Sequence, residues 1–168
     1  NDTTPIAGAI AVSPPWNFHE RYTWAFELIW TRLLCFLLKQ YVLKHQSSFT
    51  DIFWKIMLGT WSIKSFDSVM CKKSGYSCVD EYYSACSVTG TMHKISKPTL
   101  AISSVDDPLC NVKGCPTECT RYGSGLIAII VEHGGHLGFA EHIFPLNSSW
   151  IDRVSVEWFE AIQSQLRD

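Results

Sequence analysis

The amino-acid sequence predicts an α/β fold, in which a mostly parallel sheet is combined with helices and a helical cap. Three short apolar runs separated by longer segments carry this prediction: Ile6–Val12, Thr99–Ile102 and Leu126–Val131. Such runs are typical of strands covered on both faces, and strands that alternate with helical segments pair in parallel. Two polar loops that follow the second and third runs therefore lie at the carboxyl ends of strands, where sheets of this kind bind ligands.

A long apolar segment from Trp24 to His45 predicts the first helix. Glu27, Arg32 and Lys39 interrupt it, so no charge-free stretch approaches the ~18 residues that a membrane span requires. Arg32 and Lys39 lie seven residues apart and share one helix face, which leaves a broad apolar remainder for a core, an acyl chain or a membrane interface. Of these, burial against the rest of the domain is favoured.

The segment from Ser47 to Ser96 mixes aromatic and polar residues without a repeat, and we expect irregular cap structure there, with one helix around Asp80–Tyr83. A second helix is predicted near the C-terminus. Ser149 and Asp152 have the spacing of a capping box. The apolar residues that follow recur at helical spacing, so this helix should cover the sheet: Ile151, Val154, Trp158 and Ile162.

Composition limits the classes of function. The 168 residues are 46% hydrophobic and 18% charged, which indicates a globular domain, and the net charge of −2 provides no basic stripe for phosphates. Nucleic acid is therefore not expected as a partner. The seven cysteines are an odd number, which favours a reducing compartment. Cys110, Cys115 and Cys119 cluster but miss the usual zinc spacing, and ordinary loop cysteines are the favoured interpretation.

The two polar loops contain an acid and a histidine, the partners that general-base catalysis requires. In the first loop spacing does not choose between Asp106 and Asp107, and either residue also suits a turn before Pro108. In the second loop His136 is favoured over His133, because the preceding Gly134 and Gly135 permit a tight reversal. A metal site from His133, His136 and the two aspartates is disfavoured, because a glycine loop lacks the helical geometry of known His pairs.

Six motifs follow one another along the chain: Gly75-Tyr76-Ser77, Asp80-Glu81-Tyr82-Tyr83, Lys97-Pro98, Asp106-Asp107-Pro108, His133-Gly134-Gly135-His136-Leu137-Gly138-Phe139 and Trp150-Ile151-Asp152-Arg153. Their order resembles the C-terminal half of the abhydrolase family of α/β-hydrolase serine esterases and lipases. That family includes animal membrane-anchored lipid esterases, plant embryogenesis-associated proteins and bacterial short-chain esterases. The resemblance covers nearly the whole chain, and the block Gly134–Phe139 is its most specific part.

The resemblance implies the C-terminal part of an α/β-hydrolase fold whose N-terminal strands are absent. Residues 1–15 would supply a late core strand, residues 16–96 the helical cap, and residues 97–168 the acid strand, the histidine strand and the closing helix. It also implies that Asp107 is the catalytic acid and His136 the base. The implied substrate is a lipid ester such as a monoacylglycerol or phospholipid, without cofactor or metal. Membrane association is implied as well, with contact through the cap, and otherwise a cytoplasmic location.

No Gly-x-Ser-x-Gly turn, which would carry the nucleophile of such a site, occurs in the 168 residues. Gly75-Tyr76-Ser77-Cys78-Val79 lacks the last glycine and falls in the implied cap. Gly123-Ser124-Gly125 precedes a strand, whereas a nucleophile must follow one. We expect the nucleophile, the oxyanion loop and the membrane anchor of the family to lie before Asn1, and we expect this chain alone to be inactive. The alternative is a catalytically inactive product that binds lipid or protein.

Overall fold

The computed structural model describes residues 5–20, 24–115, 125–141 and 149–167, with the side chains of residues 24–29 and 51–52 left out. The chain divides into two compact units, which are treated separately below. One unit contains residues 1–21 together with 87–168, and the other contains residues 22–86. The predicted division into segments 1–15, 16–96 and 97–168 stays a prediction. The elements run in the order β1 (Ala9–Val12), α1 (Trp24–Lys44), α2 (Asp51–Leu58), α3 (Ile63–Lys73), α4 (Val79–Cys86), β2 (Thr99–Ser104), β3 (Leu126–Val131) and α5 (Trp150–Gln165).

Within the described residues, the first unit contains one parallel sheet of three strands. The middle strand β2 pairs with β1 through Ala9↔Thr99 to Val12↔Ile102, and with β3 through Thr99↔Leu126 to Ser104↔Val131. The three predicted apolar runs therefore form strands, and their parallel pairing is confirmed. The strands end together, so the loops after β1, β2 and β3 meet at one edge of the sheet.

The sheet is covered on both faces because its side chains alternate in direction. On one face Leu100 and Ile102 pack with Phe139 and with the apolar side of α5. On the other face Ala101 and Leu126 pack with Trp16, Met92 and Cys115. This two-sided burial explains the nearly uninterrupted apolar sequence of β2. In β3, by contrast, Ile127 and Ile130 are 45% and 39% exposed.

Helix α5 covers the sheet as its apolar spacing predicts. Asp152 accepts hydrogen bonds from Ser149 N at 2.7 Å and from Ser149 Oγ at 3.0 Å, which holds the first turn. Trp158 Nε1 donates to the Ala9 carbonyl at 3.2 Å, so the helix is bonded to β1 as well as packed on it. Ile162 packs directly on Gly8, since a Cβ added to Gly8 would lie 2.3 Å from Cδ1 of Ile162.

The residues on either side of the helical unit are bonded to each other within the first unit. Val88 N donates to the Trp16 carbonyl at 3.2 Å, and Phe18 N donates to Ser87 Oγ at 2.9 Å. The indole of Trp16 is buried and donates to Ser103 Oγ of β2 at 3.0 Å. The chain therefore leaves the sheet unit and returns to it at neighbouring points.

The second unit is helical, with α1 packed against α2 and α3 and with α3 packed against α4. The helix predicted around Asp80–Tyr83 is confirmed as α4. The expectation of irregular structure elsewhere in 47–96 was wrong for α2 and α3. Helix α3 begins at Ser62 with a capping box that sequence periodicity did not show. The core of this unit is Cys35, Val42, Met57, Ile63 and Phe66.

Helix α1 carries large apolar side chains on the side that faces away from this core. Leu33, Leu37 and Tyr41 recur every four residues and are between 46% and 60% exposed. Trp30 and Phe36 extend the same exposed area. Hereafter these five residues are called the α1 surface. In the described part of the chain, no helix has the length and apolar character that crossing a membrane demands.

Candidate active site

The loop after β2 is shaped by the side chain of Asp107. This carboxylate is fully buried, and its Oδ1 accepts hydrogen bonds from Leu109 N at 2.8 Å and from Cys110 N at 2.9 Å. An aspartate that bonds the amides two and three residues ahead forces the chain to turn, as Pro108 between them also favours. The second oxygen, Oδ2, is thereby directed away from the turn.

Asp107 Oδ2 contacts the imidazole of His136, which lies on the loop after β3. The distance to His136 Nδ1 is 3.0 Å, and the histidine side chain is 32% exposed. A carboxylate only accepts hydrogen bonds, so the proton of the neutral ring must be on Nδ1. The other ring nitrogen, Nε2, is then free to take up a proton. The structure thus brings together Asp107 and His136, the two residues that the family resemblance implies as acid and base.

The carboxylate of Asp106 binds the backbone of the same loop. Its Oδ1 accepts from Gly134 N at 3.0 Å, from Gly135 N at 2.8 Å and from the hydroxyl of Ser104, while Oδ2 lies 3.5 Å from His133 Nδ1. The Ser104 hydroxyl, followed by the two backbone amides and His133, lowers the pKa of Asp106 to about 2. Asp106 therefore remains a carboxylate at any physiological pH.

The two glycines of the histidine loop are required for different reasons, Gly134 by the ring of Phe139 and Gly135 by its own backbone conformation. A Cβ on Gly134 would lie 2.6 Å from two ring carbons of Phe139, and Gly135 has φ of +60°, which disfavours other residues. The ring is buried and stacks on Trp150 with 6.0 Å between centroids. Phe139 N also donates to the Gly134 carbonyl at 2.9 Å. The loop is therefore folded around an aromatic side chain that belongs to the core.

Ser13, which follows β1, was not identified from the sequence. Its hydroxyl donates to the carbonyl of His136, and its backbone N–H donates to the Ile102 carbonyl at 2.7 Å. It is buried and adopts φ of 48°, a left-handed conformation that serine seldom occupies. Its only signal in the sequence is its position at the end of an apolar run, before Pro14 and Pro15.

The described residues include one group of side chains that together could ligate a metal ion. Asp107, Cys110 and His136 offer ligand atoms within 4.8 Å of one another. Both oxygens of Asp107 already accept hydrogen bonds, so a metal ion there would have to replace the proton on His136 Nδ1. His133 and His136 contact different aspartates and do not converge on one point. Cys119, the third member of the cysteine cluster, lies outside the described residues.

The serines that the sequence excluded as nucleophiles lie elsewhere or are not described. Ser77 belongs to the turn before α4 in the helical unit, where its backbone N–H donates to Glu81 Oε2 at 2.8 Å. Gly123 and Ser124 lie outside the described residues.

Similarity to known proteins supplies a further observation. Phospholipase ABHD3 of Homo sapiens is 28% identical over an alignment 171 residues long, and the alignment covers 95% of this chain and 40% of that protein. Monoacylglycerol lipase ABHD2 of Danio rerio is 31% identical over 139 residues, covering 74% of this chain and 33% of the lipase. The chain thus spans about two fifths or less of these relatives. No protein-family model and no solved structure matches it.

Proposed function

The chain is a homologue of the abhydrolase-domain α/β hydrolases, and from this premise we propose that it carries the acid and the base of a lipid-ester hydrolase. The observation that supports this proposal most directly is the hydrogen bond of 3.0 Å between buried Asp107 and His136. Both residues follow parallel strands at the same edge of the sheet, the position at which α/β sheets hold their ligands.

In the proposed mechanism His136 acts as the general base through Nε2. It removes the proton of a serine hydroxyl as that oxygen attacks the ester carbonyl, and it returns the proton to the leaving alcohol. Asp107 keeps the proton of the neutral ring on Nδ1 and stabilises the imidazolium that forms. Burial of Asp107 strengthens this attraction, because little solvent screens the two charges.

The serine itself is proposed to come from a part of the protein outside these 168 residues. None of them forms a Gly-x-Ser-x-Gly turn, and the relatives are more than twice as long as the aligned region. Without a nucleophile and oxyanion donors, a histidine and an aspartate lose covalent catalysis and most of the electrostatic stabilisation. We therefore expect no esterase activity above background from this chain alone.

The proposed substrate class is a lipid ester. The names of the relatives, phospholipase and monoacylglycerol lipase, support this assignment, and so does the α1 surface. Apolar residues on one side of a helix, with basic residues such as Arg32 nearby, suit contact with a membrane surface from which such a substrate is taken. Membrane contact through the helical unit is therefore part of the proposal.

The α1 surface also favours a second candidate function, in which the chain binds lipid or protein without catalysis. Both functions predict binding to lipid vesicles, but only the first predicts turnover that depends on His136. Activity is therefore the measurement that separates them.

The experiment measures hydrolysis of monoacylglycerol and phospholipid by the full-length protein that contains these residues. We expect His136→Ala to reduce turnover to background. The matched control is His93→Ala, since His93 is an exposed histidine of the same unit that lies in the short helical turn Met92–Lys94, outside the two loops. Turnover that survives His136→Ala would refute the proposed mechanism. An inactive full-length protein that still binds vesicles would favour the second function.

A further inference from the structure

We propose that Asp106 is a positioning residue for His136, and that it acts by holding the backbone of the histidine loop. The proposal rests on the proposed function for its effect on turnover. Asp106 does not contact the imidazole of His136. Instead its Oδ1 accepts hydrogen bonds from Gly134 N and Gly135 N, the two amides directly before the histidine.

The adjacent aspartates of one loop thus hold two different parts of the other loop. Asp107 bonds the ring of His136, while Asp106 bonds the chain that leads into that residue. A ring can rotate about its side-chain bonds, so its hydrogen bond to Asp107 alone does not determine where the Cα of His136 lies. With the preceding turn attached as well, both the position and the direction of the imidazole are determined.

Ser13 completes this attachment from the neighbouring strand. Its hydroxyl donates to the carbonyl of His136 itself, so the backbone is held on both sides of that residue. The loops after β1, β2 and β3 are in this way joined at His136. A side chain that only formed its own turn would bond its own loop, whereas Asp106 bonds amides 28 and 29 residues away.

A single oxygen that accepts from Gly134, Gly135 and the Ser104 hydroxyl requires strong acceptor capacity. A carboxylate meets this requirement best, and an amide oxygen meets it in part. Alanine has no acceptor at all. Asp106→Asn keeps an acceptor oxygen and removes the charge, whereas Asp106→Ala removes both. Comparing the two variants therefore separates the effect of the hydrogen bonds from the effect of the charge.

The test measures kcat and KM for ester hydrolysis by the full-length protein, and the proton NMR signal of His136 Nδ1–H. We expect Asp106→Ala to lower kcat roughly 10- to 100-fold with KM unchanged, because small displacements of a catalytic group have effects of this size. The His136 signal should shift or broaden. Asp106→Asn should restore most of kcat and the signal.

The matched control is Asp152→Ala. Asp152 also accepts a hydrogen bond from a backbone amide, Ser149 N, but it does so at the start of α5. Its loss should lower the melting temperature while kcat and the His136 signal stay as in the wild type. A purely structural role for Asp106 would give that same pattern, and this outcome would overturn the proposal. Equal impairment of Asp106→Asn and Asp106→Ala would overturn it too.

A third variant covers the case in which Asp106→Ala does not fold. Asp106→Glu keeps the charge but moves the acceptor by one methylene group, so kcat should fall although the protein folds. Wild-type kcat in this variant would refute positioning by Asp106. If the wild-type protein hydrolyses no ester, the proposed function fails, whereas the His136 signal across the variants still decides the role of Asp106.

Discussion

Replacing Asp107 by asparagine tests the acid and base assignment without disturbing the loop. Asparagine has the same shape, and its Oδ1 can still accept from Leu109 N and Cys110 N, at 2.8 and 2.9 Å in the wild type. At the other position, however, an NH₂ group replaces Oδ2 and donates to the imidazole. His136 must then accept through Nδ1 and carry its proton on Nε2. A protonated Nε2 cannot take the proton of the serine, so the ring is unable to act as the base.

The expected magnitude follows from this change of tautomer. A loss of kcat of roughly 10⁴-fold is typical of this substitution in a Ser-His-Asp site, which corresponds to about 5.4 kcal/mol of activation free energy. The free energy of unfolding should change little, because both backbone bonds remain. Asp107→Ala provides the contrast, since it leaves two amides without their acceptor at about 1–3 kcal/mol for each buried group.

The assay combines turnover by the full-length protein, urea unfolding and ¹⁵N NMR of the histidine ring. The ring of Asp107→Asn should be protonated at Nε2, whereas the wild type should be protonated at Nδ1. The reasoning would be refuted if kcat stayed within tenfold of the wild type while the tautomer changed. A tautomer that stays at Nδ1 would show that Asp107 does not orient His136.

Three further predictions concern the residues that hold the histidine loop. Gly134→Ala should destabilise the protein by about 1–3 kcal/mol, because its Cβ meets the Phe139 ring at 2.6 Å. Phe139→Leu should offset part of this loss in a double mutant, and urea unfolding that shows strict additivity would contradict the clash. A Cβ at Gly135 would meet no atom, but the backbone there has φ of +60°, a left-handed conformation that asparagine adopts more readily than alanine. Gly135→Asn should therefore retain a higher melting temperature than Gly135→Ala. The pKa of Asp106, lowered from 3.8 to about 2, contributes stability that is complete above its unfolded value and is lost as the pH falls from about 4 to 2. Asp106→Asn should flatten the pH dependence of unfolding in that window, and an unchanged acid limb would rule the contribution out.

Much of the sheet unit was predictable from the sequence because its strands are continuous apolar runs, and the central strand β2 is buried on both faces. Continuous apolar runs such as Leu126–Val131 have few alternatives, and the capping residues of α5 are close together in sequence. The predicted α/β class is confirmed by the parallel sheet, and the predicted relationship to the abhydrolase proteins is confirmed by the similarity of their sequences. The helices α2 and α3 were missed for different reasons. Helix α2 is only eight residues long, and the apolar residues of α3 are interspersed with lysines and serines. Both helices are stabilised by packing within the helical unit.

The site was predictable only where a local pattern signals it. Gly134 and Gly135 indicate a tight turn, and their position before His136 favours that histidine. The roles of Asp106 and Asp107 depend on which loop amides each carboxylate reaches, and spacing carries no information on that. Ser13 lies more than a hundred residues from His136 in the chain, and the sheet alone brings the two together.

The bonds that join residues 16–18 to 87–88 have a consequence for how this protein can be altered. They close the loop formed by the helical unit, and the entropic cost of closing a loop grows by only about 0.6 kcal/mol for each doubling of its length. The sheet unit is therefore nearly indifferent to the size of what is inserted between β1 and β2. Helices there can be lengthened, shortened or exchanged between proteins while the pairing of strands that supports Asp107 and His136 is left unchanged.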